Sequence, residues 1–180
     1  MEYNEIDGDL ISLALEGKFD VIVHGCNCFN TQASGIAAGM VKNFKTNTFK
    51  MEGKEYKGDI NKLGTIDYTH FSMYQHTNRL PPELIMSSVE DIYYKDIYLT
   101  VVNAYTQYRY GTNHPDGQYK PVDYDAICLV MRKINHIFKF KHIGLPLIGC
   151  GLAGGSWEIV KSIIQKELKD CKITVVNYKK

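Results

Sequence analysis

The sequence predicts an α/β fold: a three-layer α/β/α sandwich around a central mixed sheet, built as a single domain over residues 1–180. Three observations carry this. Strand-like and helix-like segments alternate along the chain. The strand-like runs Val21-Ile-Val-His24 and Tyr98-Leu-Thr-Val-Val102 are apolar without a period of two, as in strands covered on both faces. Ile127, Val130, Met131, Ile134 and Ile137 recur at helical spacing, which gives an amphipathic helix from Tyr124 to Phe140.

Tyr3 to Asp7 reads as the first strand, and Asp9 can cap a short helix, Leu10 to Glu16, closed by Gly17. After the strand at Val21 a polar loop runs from Gly25 to Gly35, and a helix from Ile36 to Phe44. Asn47 to Lys62 is polar and glycine-interrupted, which suits helix ends and loop. Leu63 to His70 reads as a strand, and Pro81-Pro82 interrupts any regular element beyond it. Ser88 to Tyr94 and Ile97 to Asn103 read as adjacent strands joined at Lys95-Asp96, the second lying centrally. Ile143 to Leu147 is a further strand, with Pro146 near a sheet edge or at the strand's exit. Lys172 to Val176 then closes the sheet.

Composition bounds the function. A net charge of +1, with basic residues spread along the chain, disfavours nucleic acid as the main partner. No apolar run approaches a membrane span. Five cysteines behind an acidic N-terminus without an apolar signal region point to reduced thiols in the cytoplasm. His24, Cys26 and Cys28 alternate, but no second Cys or His pair completes a zinc set, so neither a metal nor a cofactor is expected.

The segment from Leu145 to Glu158 carries the chemistry. A short apolar strand runs into Gly149, Gly151, Gly154 and Gly155, and then into a helix with Ser156 as its N-cap and Glu158 in its first turn. A strand, glycine loop and helix N-terminus present free N–H groups and a positive dipole end, which suits a diphosphate. The loop after Val23 repeats this logic, and two such loops at one sheet edge make a cleft. His24, with a titration range near neutrality, is the acid/base candidate, and Asn27 a candidate to orient ribose or water. Taken singly, each has a plainer reading. A His at a strand end is often held by a hydrogen bond, and a loop Asn usually satisfies nearby backbone.

Four motifs in this order resemble the macrodomain family of ADP-ribose binders, across nearly the whole chain. They are Gly8-Asp9-Leu10, His24 to Ala37, Val102-Asn-Ala-Tyr-Thr-Gln107 and Pro146 to Trp157. His24-Gly-Cys-Asn-Cys28 followed by Gly35-Ile-Ala37 is closest in motif to the branch that includes ADP-ribose-1″-phosphate phosphatases. The Ile148-Gly-Cys-Gly-Leu152 segment with Trp157-Glu158 is also similar to macrodomains that remove ADP-ribose from protein carboxylates. The resemblance implies a macrodomain-like sandwich in which Asp9 accepts from the adenine amino group beside Leu10, and Asn177 or Tyr178 borders the ring. It places Asn27, Gly35, Ile36 and Ala37 at the distal ribose and inner phosphate, with Asn103 and Tyr105 at a neighbouring strand exit. It wraps Gly149, Cys150, Gly151, Leu152, Ala153 and Gly154 around the diphosphate.

The chain also departs from these relatives. Ala153 stands where the carboxylate-removing branch has an Asp, and Tyr105-Thr106-Gln107 offers no Lys, so a lysine-nucleophile reaction is poorly supported. Ala33-Ser34 replaces glycines that many relatives carry. The implied function is a monomeric phosphohydrolase on ADP-ribose-1″-phosphate, with His24 as acid/base and Asp116, Asp123 or His114 as further candidates near the site. The alternatives are a hydrolase freeing ADP-ribose from a modified macromolecule, and a non-catalytic module that binds or sequesters ADP-ribose or a related signalling nucleotide.

Overall fold

The structure, a computed structural model, describes residues 2–50, 53, 56–77, 93–111 and 120–179. Its strands are β1 (Glu2–Asp7), β2 (Val21–Asn27), β3 (Ile66–Thr77), β4 (Tyr93–Gln107), β5 (His142–Leu145) and β6 (Lys172–Asn177). Its helices are α1 (Leu10–Leu15), α2 (Gly35–Phe44), α3 (Tyr124–Ile137) and α4 (Trp157–Glu167), with short 3-10 turns at Thr46–Thr48 and Ile60–Lys62. The strands form one six-stranded sheet in the order β1-β6-β5-β2-β4-β3. All neighbours are parallel except β3, which runs antiparallel to β4, so the sheet is mixed.

Strand side chains alternate between two cores. Val21, Val23, Ile143, Leu145, Ile173 and Val175 meet Ile127, Val130, Met131 and Ile134 of α3 and Val160 and Ile164 of α4. On the other face Ile22, Leu99 and Val101 meet Leu10 and Ala14 of α1 and Met40 and Phe44 of α2. Helices on both faces of one sheet give the three-layer sandwich that the alternating pattern predicts.

Several boundaries move, and each has a physical reason. β4 runs unbroken through Lys95 and Asp96, which pair with Gln75 and Tyr74, so this polar dipeptide is strand rather than turn. An antiparallel ladder bonds backbone whatever the side chain, and Asp96 stays exposed. The expected strand at 88–92 and the Pro81-Pro82 break lie outside the described residues. α3 ends at Ile137, because the chain turns through Phe140 at φ 64 and the Phe140 N–H donates to the Asp170 carbonyl. β6 does not close the sheet: it lies inside it, between β1 and β5. β2 continues past His24, pairing Gly25 with Ala104 and Cys26 with Tyr105. That extension decides the fate of His24.

Candidate functional site

β2 leads on to β3 and β4 on one side of the sheet, whereas β5 leads to β6 on the other. Strand order therefore reverses between neighbouring β2 and β5, and the loops leaving their carboxyl ends diverge to open a crevice. A cleft of about 530 Å³ occupies this place, within the size range of small-molecule sites. The start of α1 contributes Leu10 and Ile11 with its cap Asp9, and α2 contributes Gly35, Ile36 and Gly39. Pro146, Leu147, Cys150 and Gly151 come from the loop after β5, and Val176, Asn177 and Tyr178 from the end of β6.

At one end Asp9 caps α1, its Oδ1 accepting from the Ser12 N–H at 2.7 Å. Its second oxygen has no partner among the described residues and stays available to a ligand. Asn177 donates to Asp7 at 3.3 Å, and Tyr178 stands exposed at the rim.

The walls near Gly35 and Gly151 are made of backbone. α2 starts without a side-chain cap, because Ser34 makes no capping bond. The N–H groups of Gly35, Ile36 and Ala37 have no hydrogen-bond partner among the described residues. Across the cleft, Cys150 N–H bonds the Leu147 carbonyl and Gly154 N–H the Gly151 carbonyl. Those of Gly149, Gly151, Leu152 and Ala153 are likewise unpartnered among the described residues. Two sets of free donors, one aligned with a helix dipole, make a cradle for anionic oxygen.

Gly39 lets α2 approach α1, since a Cβ there would lie 2.7 Å from the Ile11 side chain. Burial of Cys150, helped by Glu158, pushes its thiol above its ordinary range, so it faces the cleft protonated.

Asp9, Leu10, Gly35, Ile36, Cys150, Gly151, Asn177 and Tyr178 are thus brought to one cleft. Ala37, Gly149, Leu152, Ala153 and Gly154 flank it, with Leu152 exposed at the loop tip and Ala153 buried. The helix aimed at the cleft is α2, not α4. Ser156 holds the N-cap position of α4 but makes no side-chain capping bond; its hydroxyl donates to Glu158 at 2.6 Å.

Four expected residues belong to the interior instead. His24 is fully buried within β2, and its Nε2–H donates to Asn103 Oδ1 at 2.7 Å. Burial lowers its pKa to about 4, partly offset by that hydrogen bond. A neutral histidine sealed inside the sheet does not reach a ligand in the cleft. Asn103 is fully buried too, donating through Nδ2 to the Thr46 carbonyl at 2.9 Å. Tyr105 donates to Asp67 Oδ2, beneath the Lys62 ammonium 5.7 Å from its ring. The other Asp67 oxygen is buried without a partner among the described residues, and burial raises the pKa of this carboxyl. Asn27 spends its amide on its own loop: Oδ1 accepts from Phe29 and Thr31 N–H, and Nδ2 donates to the Thr31 carbonyl at 2.8 Å. The bonds that His24 and Asn27 make are those of the plainer reading.

Asp123 caps α3 through the Ala126 N–H, while His114 and Asp116 lie outside the described residues. The sequence reading missed Ile11, Gly39, Pro146, Leu147 and Val176. Gly39 carried a usable signal, lying three and four residues beyond Ile36 and Gly35 on one helix face.

The chain is similar to an uncharacterized 17.5 kDa protein of enterobacteria phage T4, 28% identical over 177 residues, covering 96% of this chain and 94% of the phage protein. It superposes on a Bacteroides thetaiotaomicron protein of unknown function with a TM-score of 0.60 at 23% identity, covering 98% of each chain. The macrodomain of Thermus aquaticus DarG matches with a TM-score of 0.55 at 18% identity, over 99% of this chain and 98% of that one. The chain has the macrodomain fold. Thermosipho africanus DarTG, solved in complex with ADP-ribose, shares it with a TM-score of 0.60 at 17% identity over 99% of this chain and 41% of the longer one. No protein-family model matches the sequence. Within this macrodomain architecture the cleft lies at the switch point of the sheet, and among the described residues no helix is long and apolar enough to cross a membrane.

Proposed function

We propose that this chain is an ADP-ribose-binding module. The observation that carries the reading is the pair of unpartnered N–H sets, Gly35 to Ala37 and Gly149 with Gly151 to Ala153, on either side of a cleft of about 530 Å³. Adenine lies against Leu10, with its amino group donating to the free oxygen of Asp9, and Tyr178 covers the ring at the rim. The diphosphate lies between the N-terminus of α2 and the second loop, and the distal ribose beside the first loop. The ADP-ribose complex of a protein with this fold, Thermosipho africanus DarTG, supports the ligand class.

Binding without turnover is the favoured form of this reading. With His24 and Tyr105 buried, Asp9 is the carboxylate lining the cleft among the described residues, and it sits at the adenine end. Cys150 is held as a neutral thiol, a poor nucleophile. A phosphohydrolase acting on ADP-ribose-1″-phosphate is the second reading. It is favoured by the run of free N–H groups that continues to Leu152 and Ala153, donors for a phosphate beyond the distal ribose.

Incubation with ADP-ribose-1″-phosphate and with ADP-ribosylated protein side by side separates the possibilities. The binding reading predicts calorimetric binding of ADP-ribose and neither product. Release of inorganic phosphate establishes the phosphohydrolase, and release of free ADP-ribose establishes a de-ADP-ribosylating hydrolase.

A further inference from the structure

The polar residues that the cleft does not use are connected. Asn103 receives the His24 Nε2–H and donates to the Thr46 carbonyl. The Thr46 hydroxyl donates to Gln32 Oε1, and Gln32 Nε2 donates to Asn30 Oδ1. Asn30, at φ 54, donates in turn to the Asn47 carbonyl at 3.1 Å. This chain of bonds starts in the middle of the sheet, crosses the first loop at Gln32 and Asn30, three and five residues before α2 begins, and returns to Asn47 in the turn after α2.

Gln32 is its junction. Only 7% exposed in a loop, it joins the turn that comes after α2 to the segment that precedes α2. Both ends of α2 are thereby tied to strands β2 and β4, and the first-turn N–H groups are held at a fixed place opposite Gly151. An uncapped helix start would otherwise fray, since the N–H groups of Gly35, Ile36 and Ala37 have no partner among the described residues.

We propose that Gln32 is a positioning residue for the anion end of the cleft: through Thr46 and Asn30 it fixes where the α2 N-terminus meets the diphosphate. The ligand part of this statement rests on the ADP-ribose reading; the mechanical part does not. The Thr46 hydroxyl on one side of Gln32 and the Asn30 amide on the other make this a built network rather than a lone contact, and each bond is between buried or loop-anchored groups.

The test is a double-mutant cycle with Gln32→Leu, Thr46→Val and the pair, read by calorimetry with ADP-ribose and by NMR titration with adenosine. Each single variant is expected to weaken ADP-ribose about tenfold, as for one lost hydrogen bond, while adenosine binding stays within about twofold. The pair should lose no more than one single variant. Equal losses for adenosine, strictly additive losses, or unchanged ADP-ribose affinity would each overturn the proposal.

Hydrogen exchange on the unliganded protein tests the mechanical part separately. Amides of residues 28–37 should exchange faster in Gln32→Leu while those of α3 and α4 keep their protection. Unchanged exchange in 28–37, or a rise spread evenly over the chain, also overturns it. Should wild type fail to bind ADP-ribose, the ligand reading falls while the exchange result still judges Gln32. Gln32→Glu, which keeps the acceptor for Thr46 and loses the donor to Asn30, repeats the exchange test if Gln32→Leu does not fold.

Discussion

His24→Gln is the perturbation that best separates a buried histidine from a catalytic one. Glutamine can still donate to Asn103 Oδ1 but does not titrate. In the folded protein burial lowers the His24 pKa from 6.5 to about 4. At about 1.4 kcal/mol per pH unit, that difference corresponds to roughly 3 kcal/mol of stability. Its sign depends on which state takes the proton first. Above pH 6.5 both states hold a neutral imidazole and the group has no effect. As pH falls below 6.5 the unfolded chain protonates first, so stability declines, and the full loss is reached near pH 4, where the folded state protonates too. Urea denaturation of wild type and His24→Gln at several pH values between 7 and 4 measures the difference, in which the other titrating groups cancel. With a slope of roughly 1–3 kcal/mol/M, the midpoint gap between the two proteins should change by about 1–3 M over this range. Parallel midpoints at every pH would mean that His24 titrates as a solvent-exposed imidazole, and the interior placement would be wrong.

The other predictions concern the cleft. Gly151→Glu should fold normally, because an added Cβ meets nothing within 4 Å, yet its carboxylate beside the diphosphate should weaken ADP-ribose at least about a hundredfold, roughly 2.7 kcal/mol; a folded variant with normal affinity would place the ligand elsewhere. Gly155→Ala should destabilise the fold: its Cβ would lie 2.6 Å from the Gly149 carbonyl oxygen, so a melting scan should show a loss of about 1–3 kcal/mol. Asp9→Ala should lose the α1 cap, about 1 kcal/mol, and in calorimetry a ligand hydrogen bond worth about 1.5–3 kcal/mol. Asp9→Asn keeps a capping oxygen and should recover most of the stability but not all of the affinity.

Local pattern was enough to place the elements and most of the cleft. Asp9 before an apolar turn is a cap wherever the chain goes, and glycines between an apolar run and a helix mark a loop at a strand exit. The interior polar residues were not legible in the same way. Gly25-Cys-Asn looks like loop, and ending β2 at His24 put its side chain at the sheet edge, in reach of a ligand. What keeps these residues in the strand are partners far along the chain: Asn103 for His24 and Asp67 for Tyr105, 79 and 38 residues away. Neither pairing leaves a trace in local spacing. Ser156 takes the N-cap position as its spacing suggests, but Glu158 two residues on takes its hydroxyl in place of a backbone N–H. Nor does local spacing show that Gly155 packs against the Gly149 carbonyl, with which its own N–H bonds at 2.9 Å.

The most direct measurement is a calorimetric comparison of ADP-ribose, AMP and adenosine on the unmodified protein. Free N–H groups on two walls should make affinity rise with each added phosphate, so ADP-ribose binds at least about tenfold more tightly than AMP, and AMP more tightly than adenosine. Indistinguishable affinities for the three, or no binding of ADP-ribose, would contradict the assignment of this cleft as a diphosphate cradle.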